Sequence, residues 1–225
     1  KNFACALYDQ RGHGKSDGPR CHVVKFNDWL DDLSNFVSFS KSQVALGTPL
    51  FIIGISLGAL IGINYVVRND TQVNGMIAIS AALSPTLNIP KWKRKVATRL
   101  SSIYPRFTID NGIKLAELTN SETEIKSLGS DPHFRRKITV GAGVEIENVL
   151  RSISETAKHI HIPTLFLAGE NDQVCNPEGS REFAKKVASS DKRFNLYRNM
   201  QHDLLHDSGS HVVINDIETW IEEHS

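Results

Sequence analysis

The chain is poor in cysteine: only Cys5, Cys21 and Cys175 occur in 225 residues. So few thiols, odd in number, make no disulfide framework, and their spacing matches no zinc site. They suit a reducing, cytoplasmic compartment. Charge of one sign is missing too. With 26 Lys+Arg against 25 Asp+Glu, the formal net charge is +1, so no global field points to a nucleic-acid partner. No apolar run approaches the roughly 20 residues of a membrane-spanning helix. The opening Lys1-Asn2-Phe3-Ala4-Cys5 is neither a signal peptide nor a methionine start. Repeats and low-complexity stretches are absent, which excludes solenoids. What remains is ordinary for one globular domain with a substantial core: 40% hydrophobic and 23% charged residues.

One stretch stands out from this background, Leu50-Phe51-Ile52-Ile53-Gly54-Ile55-Ser56-Leu57-Gly58-Ala59-Leu60. A β-branched run stops at a glycine, a serine follows two positions later, and helix-forming residues come next. This is the Gly-x-Ser-x-Gly pattern in the strand–turn–helix context that makes it a nucleophile elbow. The turn would strain Ser56, with Gly54 and Gly58 letting strand and helix approach. The Leu57 amide would then face a developing oxyanion. The competing reading is an ordinary glycine-flanked turn between strand and helix.

Strands and helices alternate along the rest of the chain. Phe3–Tyr8 reads as a buried strand leading into a turn-rich loop, residues 10–19. Asn27 could cap a helix with Trp29, Leu30, Leu33, Phe36 and Val37 on one face. The Ser56 strand precedes a helix to about Val67, and Val73–Ser80, Pro163–Ala168 and Arg193–Tyr197 read as further strands. Asn176-Pro177 looks like a helix start. A last helix carries Val213, Ile217, Trp220 and Ile221 on one stripe. The pattern implies an α/β fold, a mainly parallel sheet with helices on both faces. Residues from about 84 to 160 break the rhythm. They show no clear strand, hold Pro85, Pro90 and Pro105, and cluster Lys91, Lys93, Arg94, Lys95 and Arg99. An insertion of this size is most simply a helical cap over the strand ends. Its basic cluster reads as a solvated face, with peripheral membrane contact as the sharper alternative.

A serine nucleophile needs a base and an acid to orient it, both just beyond strand ends. Asp172 follows the Pro163–Ala168 strand and His202 follows the Arg193–Tyr197 strand. The order Ser, Asp, His is that of α/β-hydrolases. Rivals exist. His206 competes with His202 but lies further from its strand. Glu170 could replace Asp172, although the Gly-x-x-Asp spacing favours the latter. Asp203 reads as loop structure. A His202–Asp203–His206 metal cluster lacks a further ligand.

These residues resemble a known family. Asp9-Gln10-Arg11-Gly12-His13-Gly14-Lys15-Ser16 is similar to the Asp-x-Arg-Gly-His-Gly-x-Ser motif of the monoacylglycerol lipase and lysophospholipase branch of the α/β-hydrolases. Gly54–Gly58, Pro163–Asp172 and Gln201-His202-Asp203 resemble its elbow, acid loop and histidine loop. Asn88-Ile89-Pro90-Lys91-Trp92-Lys93, Pro105-Arg106-Phe107-Thr108, Asn111-Gly112 and Asp131-Pro132 resemble its cap. The likeness runs through essentially the whole chain. It implies a Ser56–His202–Asp172 triad, an acyl-enzyme, a single-chain lipid ester as substrate, and no metal or organic cofactor. His13 is taken as shaping the loop rather than as catalytic. The family also has strands and a His-Gly oxyanion loop upstream of where this chain begins. The resemblance therefore implies that residues 1–225 are N-terminally incomplete and that Leu57 is the one oxyanion donor that can be named. Peptidase, general esterase and epoxide hydrolase chemistries on this fold remain alternatives, although epoxide hydrolases usually carry an aspartate in place of Ser56. A non-enzymatic binding module is the other class. Nothing in the pattern specifies an oligomer.

Overall fold

A computed structural model describes residues 3–69, 72–87 and 89–225. Lys1, Asn2 and Asn88, used in the readings above, lie outside the described residues.

Four strands form one parallel sheet: β1 (Phe51–Ile55), β2 (Gly75–Ile79), β5 (Thr164–Gly169) and β6 (Lys192–Tyr197), in the order β1-β2-β5-β6. Every residue of β2 and β5 is buried. That is why these strands are near-continuous apolar runs: a parallel sheet is covered on both faces. Alternate side chains serve the two layers. Met76, Ala78 and Phe166 pack with Trp29, Leu60 and Phe183 on one face. These partners come from α1 (Phe26–Ser42), α2 (Leu57–Arg68) and α7 (Pro177–Lys186). Ile77, Ile79, Leu165 and Leu167 meet Val213, Ile217 and Trp220 of α8 (Ser210–Glu223) on the other. The α8 stripe is the one read from spacing, with Ile221 at its partly buried margin.

The two helix starts read from the sequence differ in outcome. Asn176 Oδ1 accepts from Glu178 N at 3.0 Å, and Pro177 is the first residue of α7. Asn27 does not cap α1; the helix begins one residue earlier, and Asp28 Oδ2 accepts from Lys25 N at 3.1 Å. The acidic Asp28 side chain in the first turn thus serves the amide of Lys25, the residue that precedes the helix. Asn27 accepts from Arg68 instead, at 3.1 Å.

Two further expectations are corrected. Phe3–Tyr8 is no strand, and Leu7 is 89% exposed. Among the described residues β1 pairs only with β2, and the 3–8 segment joins no ladder. An apolar run without a partner strand cannot satisfy its amides and carbonyls as a strand. Tyr8 alone is anchored, its ring 4.5 Å from that of Phe36. On β1, the edge strand of the sheet, Ile53 and Ile55 are exposed. The segment between β2 and β5, expected to lack strands, contains β3 (Thr108–Asp110) paired antiparallel with β4 (Lys137–Thr139). Three polar-rich residues a side leave no apolar run to read. Around this pair lie α3 (Lys91–Ile103), α4 (Glu122–Ser130), α5 (Val140–Leu150) and the short α6 (Ile153–Thr156). No helix among the described residues is long and apolar enough to cross a membrane.

Candidate active site

The residues singled out from the sequence gather at the carboxyl ends of the parallel strands. Ser56 directly follows β1 with φ 52° and ψ −114°, a left-handed backbone for a residue with a side chain. Neighbouring bonds hold this strained turn. Ser56 N donates to Ile79 O at 2.9 Å, and Ser56 O accepts from Ala59 N at 3.1 Å and Ala82 N at 3.2 Å. A Cβ on Gly54 would lie 2.6 Å from Gly58 O and 2.7 Å from Ala59 Cα, so strand and helix cross here at glycine-only distance. Gly58 differs: the nearest atom to an added Cβ is Gln10 Nε2 at 3.7 Å, so the close approach rests on Gly54. Leu57 opens α2, where an N–H has no intrahelical acceptor and the helix dipole favours negative charge.

Asp172 and His202 meet. Asp172 Oδ2 and His202 Nδ1 are 2.8 Å apart, with both side chains buried. The other carboxylate oxygen accepts from Val174 N and Cys175 N, each at 2.8 Å. Three bonds thus fix the carboxylate and orient the imidazole by the nitrogen facing it. Burial, and then the Asp172 charge, push the adjacent Cys175 thiol up to about 12. No hydrogen bond joins Ser56 Oγ to His202 among the described residues.

Gly169 explains the Gly-x-x-Asp spacing. A Cβ there would lie 2.2 Å from Gln201 O and 2.5 Å from Met200 O. The histidine loop therefore rests directly on the end of β5. Asn171 N donates to Met200 O at 2.9 Å and Glu170 N to Tyr197 O at 2.9 Å.

The rivals are placed elsewhere. His206 is exposed, and its Nδ1 lies 2.9 Å from Asp203 Oδ2. Glu170 Oε2 accepts from Asn199 N at 3.2 Å. Among the described residues no cluster of three or more His, Cys, Asp or Glu could hold a metal, so His202, Asp203 and His206 do not form one. His13 Nδ1 lies 3.1 Å from Arg11 O, within its own loop. Sequence reasoning missed His22, buried with Nδ1 2.9 Å from Thr139 Oγ1. Burial first, then Arg106, lower its pKa from 6.5. It also missed Asp207, buried beside the histidine loop.

A cavity of about 400 Å³ opens beside Leu57 and Ala82. Trp29 forms part of its wall, and Ile113, Phe134, Ile138 and Ile146 contribute from the segment between β2 and β5. Arg20, Arg135 and Lys137 also line it, and no aspartate or glutamate does.

A family model described as serine aminopeptidase, S33 (Hydrolase_4) matches residues 1–209. The chain is 27% identical over 237 residues to the monoglyceride lipase of Saccharomyces cerevisiae, covering 97% of this chain and 75% of that protein. It is 26% identical to the human monoglyceride lipase, covering 96% of this chain and 72% of that one. An uncharacterized abhydrolase domain-containing protein of Dictyostelium discoideum is 26% identical; the match covers 96% of this chain but 23% of that longer protein. The crystal structure of Paleococcus ferrophilus monoacylglycerol lipase superposes with a TM-score of 0.86 at 26% identity, covering 95% of this chain and 81% of that one.

Proposed function

The chain belongs to the Hydrolase_4 family, described as serine aminopeptidase, S33, and from that premise we propose that it is a serine hydrolase cleaving the ester of a single-chain lipid. Its α/β-hydrolase fold and its likeness to monoglyceride lipases support carboxylic ester hydrolysis as the activity. The observation that carries the finer reading is the cavity beside Leu57. Its apolar wall suits an acyl chain, whereas an aminopeptidase needs a carboxylate to hold the substrate's free amine, and none lines this cavity. Monoacylglycerols and lysophospholipids both fit this description.

In the proposed mechanism Ser56 Oγ attacks the ester carbonyl while His202 Nε2 takes its proton. Asp172, held by two backbone amides, keeps the imidazole oriented and stabilises its charged form. The Leu57 N–H donates to the tetrahedral oxyanion, worth about 3 kcal/mol per donor. The alkoxide of glycerol or of a glycerophospho alcohol leaves with the proton from His202. Water, activated by the same imidazole, then releases the fatty acid from Ser56. The chemistry calls for no cofactor.

Residues 84–160 are read as a cap, and α3 as its contact with a lipid surface. Nothing in α3 is buried; Trp92, Val96 and Ile103 are exposed on a helix that also carries Lys91, Lys93, Lys95 and Arg99. A basic amphipathic helix of this kind lies at an anionic interface. A cytoplasmic location suits the three free thiols.

A fluorophosphonate probe and a substrate panel test the reading. The probe should modify Ser56, and Ser56→Ala should abolish labelling and ester hydrolysis together. Monoacylglycerols or lysophospholipids should show higher kcat/KM than short aryl esters. Best turnover on aminoacyl amides would make the chain a peptidase, and near-wild-type activity in Ser56→Ala would remove the mechanism.

A further inference from the structure

We propose that Asp207 is a positioning residue through which the segment between β2 and β5 sets the place of the His202 imidazole. The inference rests on reading His202 as the base. Asp207 ends the loop that carries His202, just before α8, and is 3% exposed. Its Oδ2 accepts from Gln201 N, the residue preceding His202, at 2.7 Å. Its Oδ1 accepts from Asn120 N at 3.0 Å and from Ser208 N at 2.8 Å. The Thr119 hydroxyl lies 3.4 Å from the same oxygen and donates to His206 O at 2.9 Å. One buried carboxylate therefore joins the base loop, the start of α8, and a strand-free turn 87 residues upstream.

The neighbouring bonds repeat this connection on both sides of His202. Asp203 N donates to Leu118 O at 2.7 Å, and Asn120 Nδ2 donates to Asn199 O at 2.9 Å. Apart from Asp172, then, the groups that restrain the histidine loop include residues 118–120 of the segment whose other side chains wall the cavity. A loop imidazole must be held to within about 0.5 Å to serve as a base. Hydrogen bonds to an ionised carboxylate are roughly twice as strong as neutral ones, so a buried aspartate is the stiffest available tie between two loops. The coupling follows directly. A displacement of residues 118–120 moves the donor on Asn120 and is transmitted through Asp207 to Gln201 and His202.

Asp207→Asn tests this, because it keeps the size of the side chain but turns one acceptor into a donor facing an N–H. In the chain as the cell makes it, the variant should lose about 10- to 100-fold in kcat on a short soluble ester, with KM within about twofold. The downfield NMR resonance of the proton shared by His202 Nδ1 and Asp172 should broaden or vanish, a readout that requires no turnover. Asn120→Ala leaves the backbone donor to Asp207 in place and removes the side-chain bonds to Asn199 O and to the Gln201 side chain; it should move both readouts in the same direction by less than tenfold. A folded Asp207→Asn protein with wild-type kcat and an unchanged resonance overturns the proposal. If that variant does not fold, Asp207→Glu takes its place, keeping the charge but shifting the carboxylate by one methylene off the Gln201 and Asn120 amides, and wild-type kcat with an unchanged resonance there overturns the proposal. A wild-type protein that shows the resonance and its loss in the variant, yet neither hydrolyses esters nor takes the fluorophosphonate, would refute the ester hydrolase reading and leave the coupling standing.

Discussion

Replacing Gly169 with alanine should disable the site without touching any of its side chains. The new methyl would sit 2.2 Å from Gln201 O, 2.5 Å from Met200 O and 2.9 Å from Met200 C. These are backbone atoms, so no rotamer change relieves the overlap. Restoring an ordinary carbon–oxygen contact requires the histidine loop to retreat by about 1 Å. That retreat stretches the 2.9 Å bond from Asn171 N to Met200 O and pulls His202 off Asp172, now 2.8 Å away. A misplacement of about 1 Å at a catalytic group costs on the order of 10²-fold in turnover. Forcing a methylene into a packed contact costs roughly 1–3 kcal/mol, which in a domain of this size lowers Tm by about 2–12 °C. The assay pairs kcat on a soluble ester with a thermal melt, in the Gly169→Ala variant and the wild type. An alanine variant with wild-type kcat and Tm would refute the argument that the histidine loop rests on the end of β5.

Other consequences can be checked alongside. His202→Ala should cost about 10³-fold or more in turnover and His206→Ala far less, since only His202 meets Asp172; the reverse ranking in a kinetic comparison would move the base. The lowered pKa of His22 implies that the folded state resists protonating it, so its contribution to stability is complete above the unfolded value of about 6.5 and is lost as pH falls through the lower folded value. Between pH 7.5 and 5 the Tm of His22→Gln should therefore fall less than that of the wild type, and parallel curves would sink the linkage. Cys5 is exposed, whereas Cys21 and Cys175 are buried with thiol pKa values pushed up by burial, so a thiol reagent at pH 8 should count one reactive cysteine in the folded protein and three in denaturant.

Much of the sheet was legible because its signals are local. The run at Thr164–Gly169 is apolar and ends at a glycine, as a strand buried on both faces does, and the run at Phe51–Ile55 is apolar as well, although Ile53 and Ile55 are exposed on this edge strand. The Asn176-Pro177 start of α7 and the α8 stripe were legible for the same reason: a cap or a helical period is written within a few residues. The elbow at Ser56 and the order Ser, Asp, His also belong to the chain alone. Where the sequence misled, the deciding contact was distant. Phe3–Tyr8 has the composition of a strand but meets no partner, and strandness is a property of the ladder rather than of the run. The pairing of β3 with β4 joins short polar-rich segments that carry no period of their own. His202 and His206 are four residues apart in one loop, and spacing alone favoured the first without showing its partner. Only the fold reveals that Asp172 reaches one imidazole while the other turns to Asp203. Asp207 is the extreme case, since nothing nearby in sequence announces that it bonds Asn120. The sequence by itself determined which residue types stand at the strand ends, because propensity and turn chemistry act over a few positions. The tertiary structure decided which of them meet, because a 2.8 Å contact between residues 30 apart depends on how the whole sheet brings its loops together.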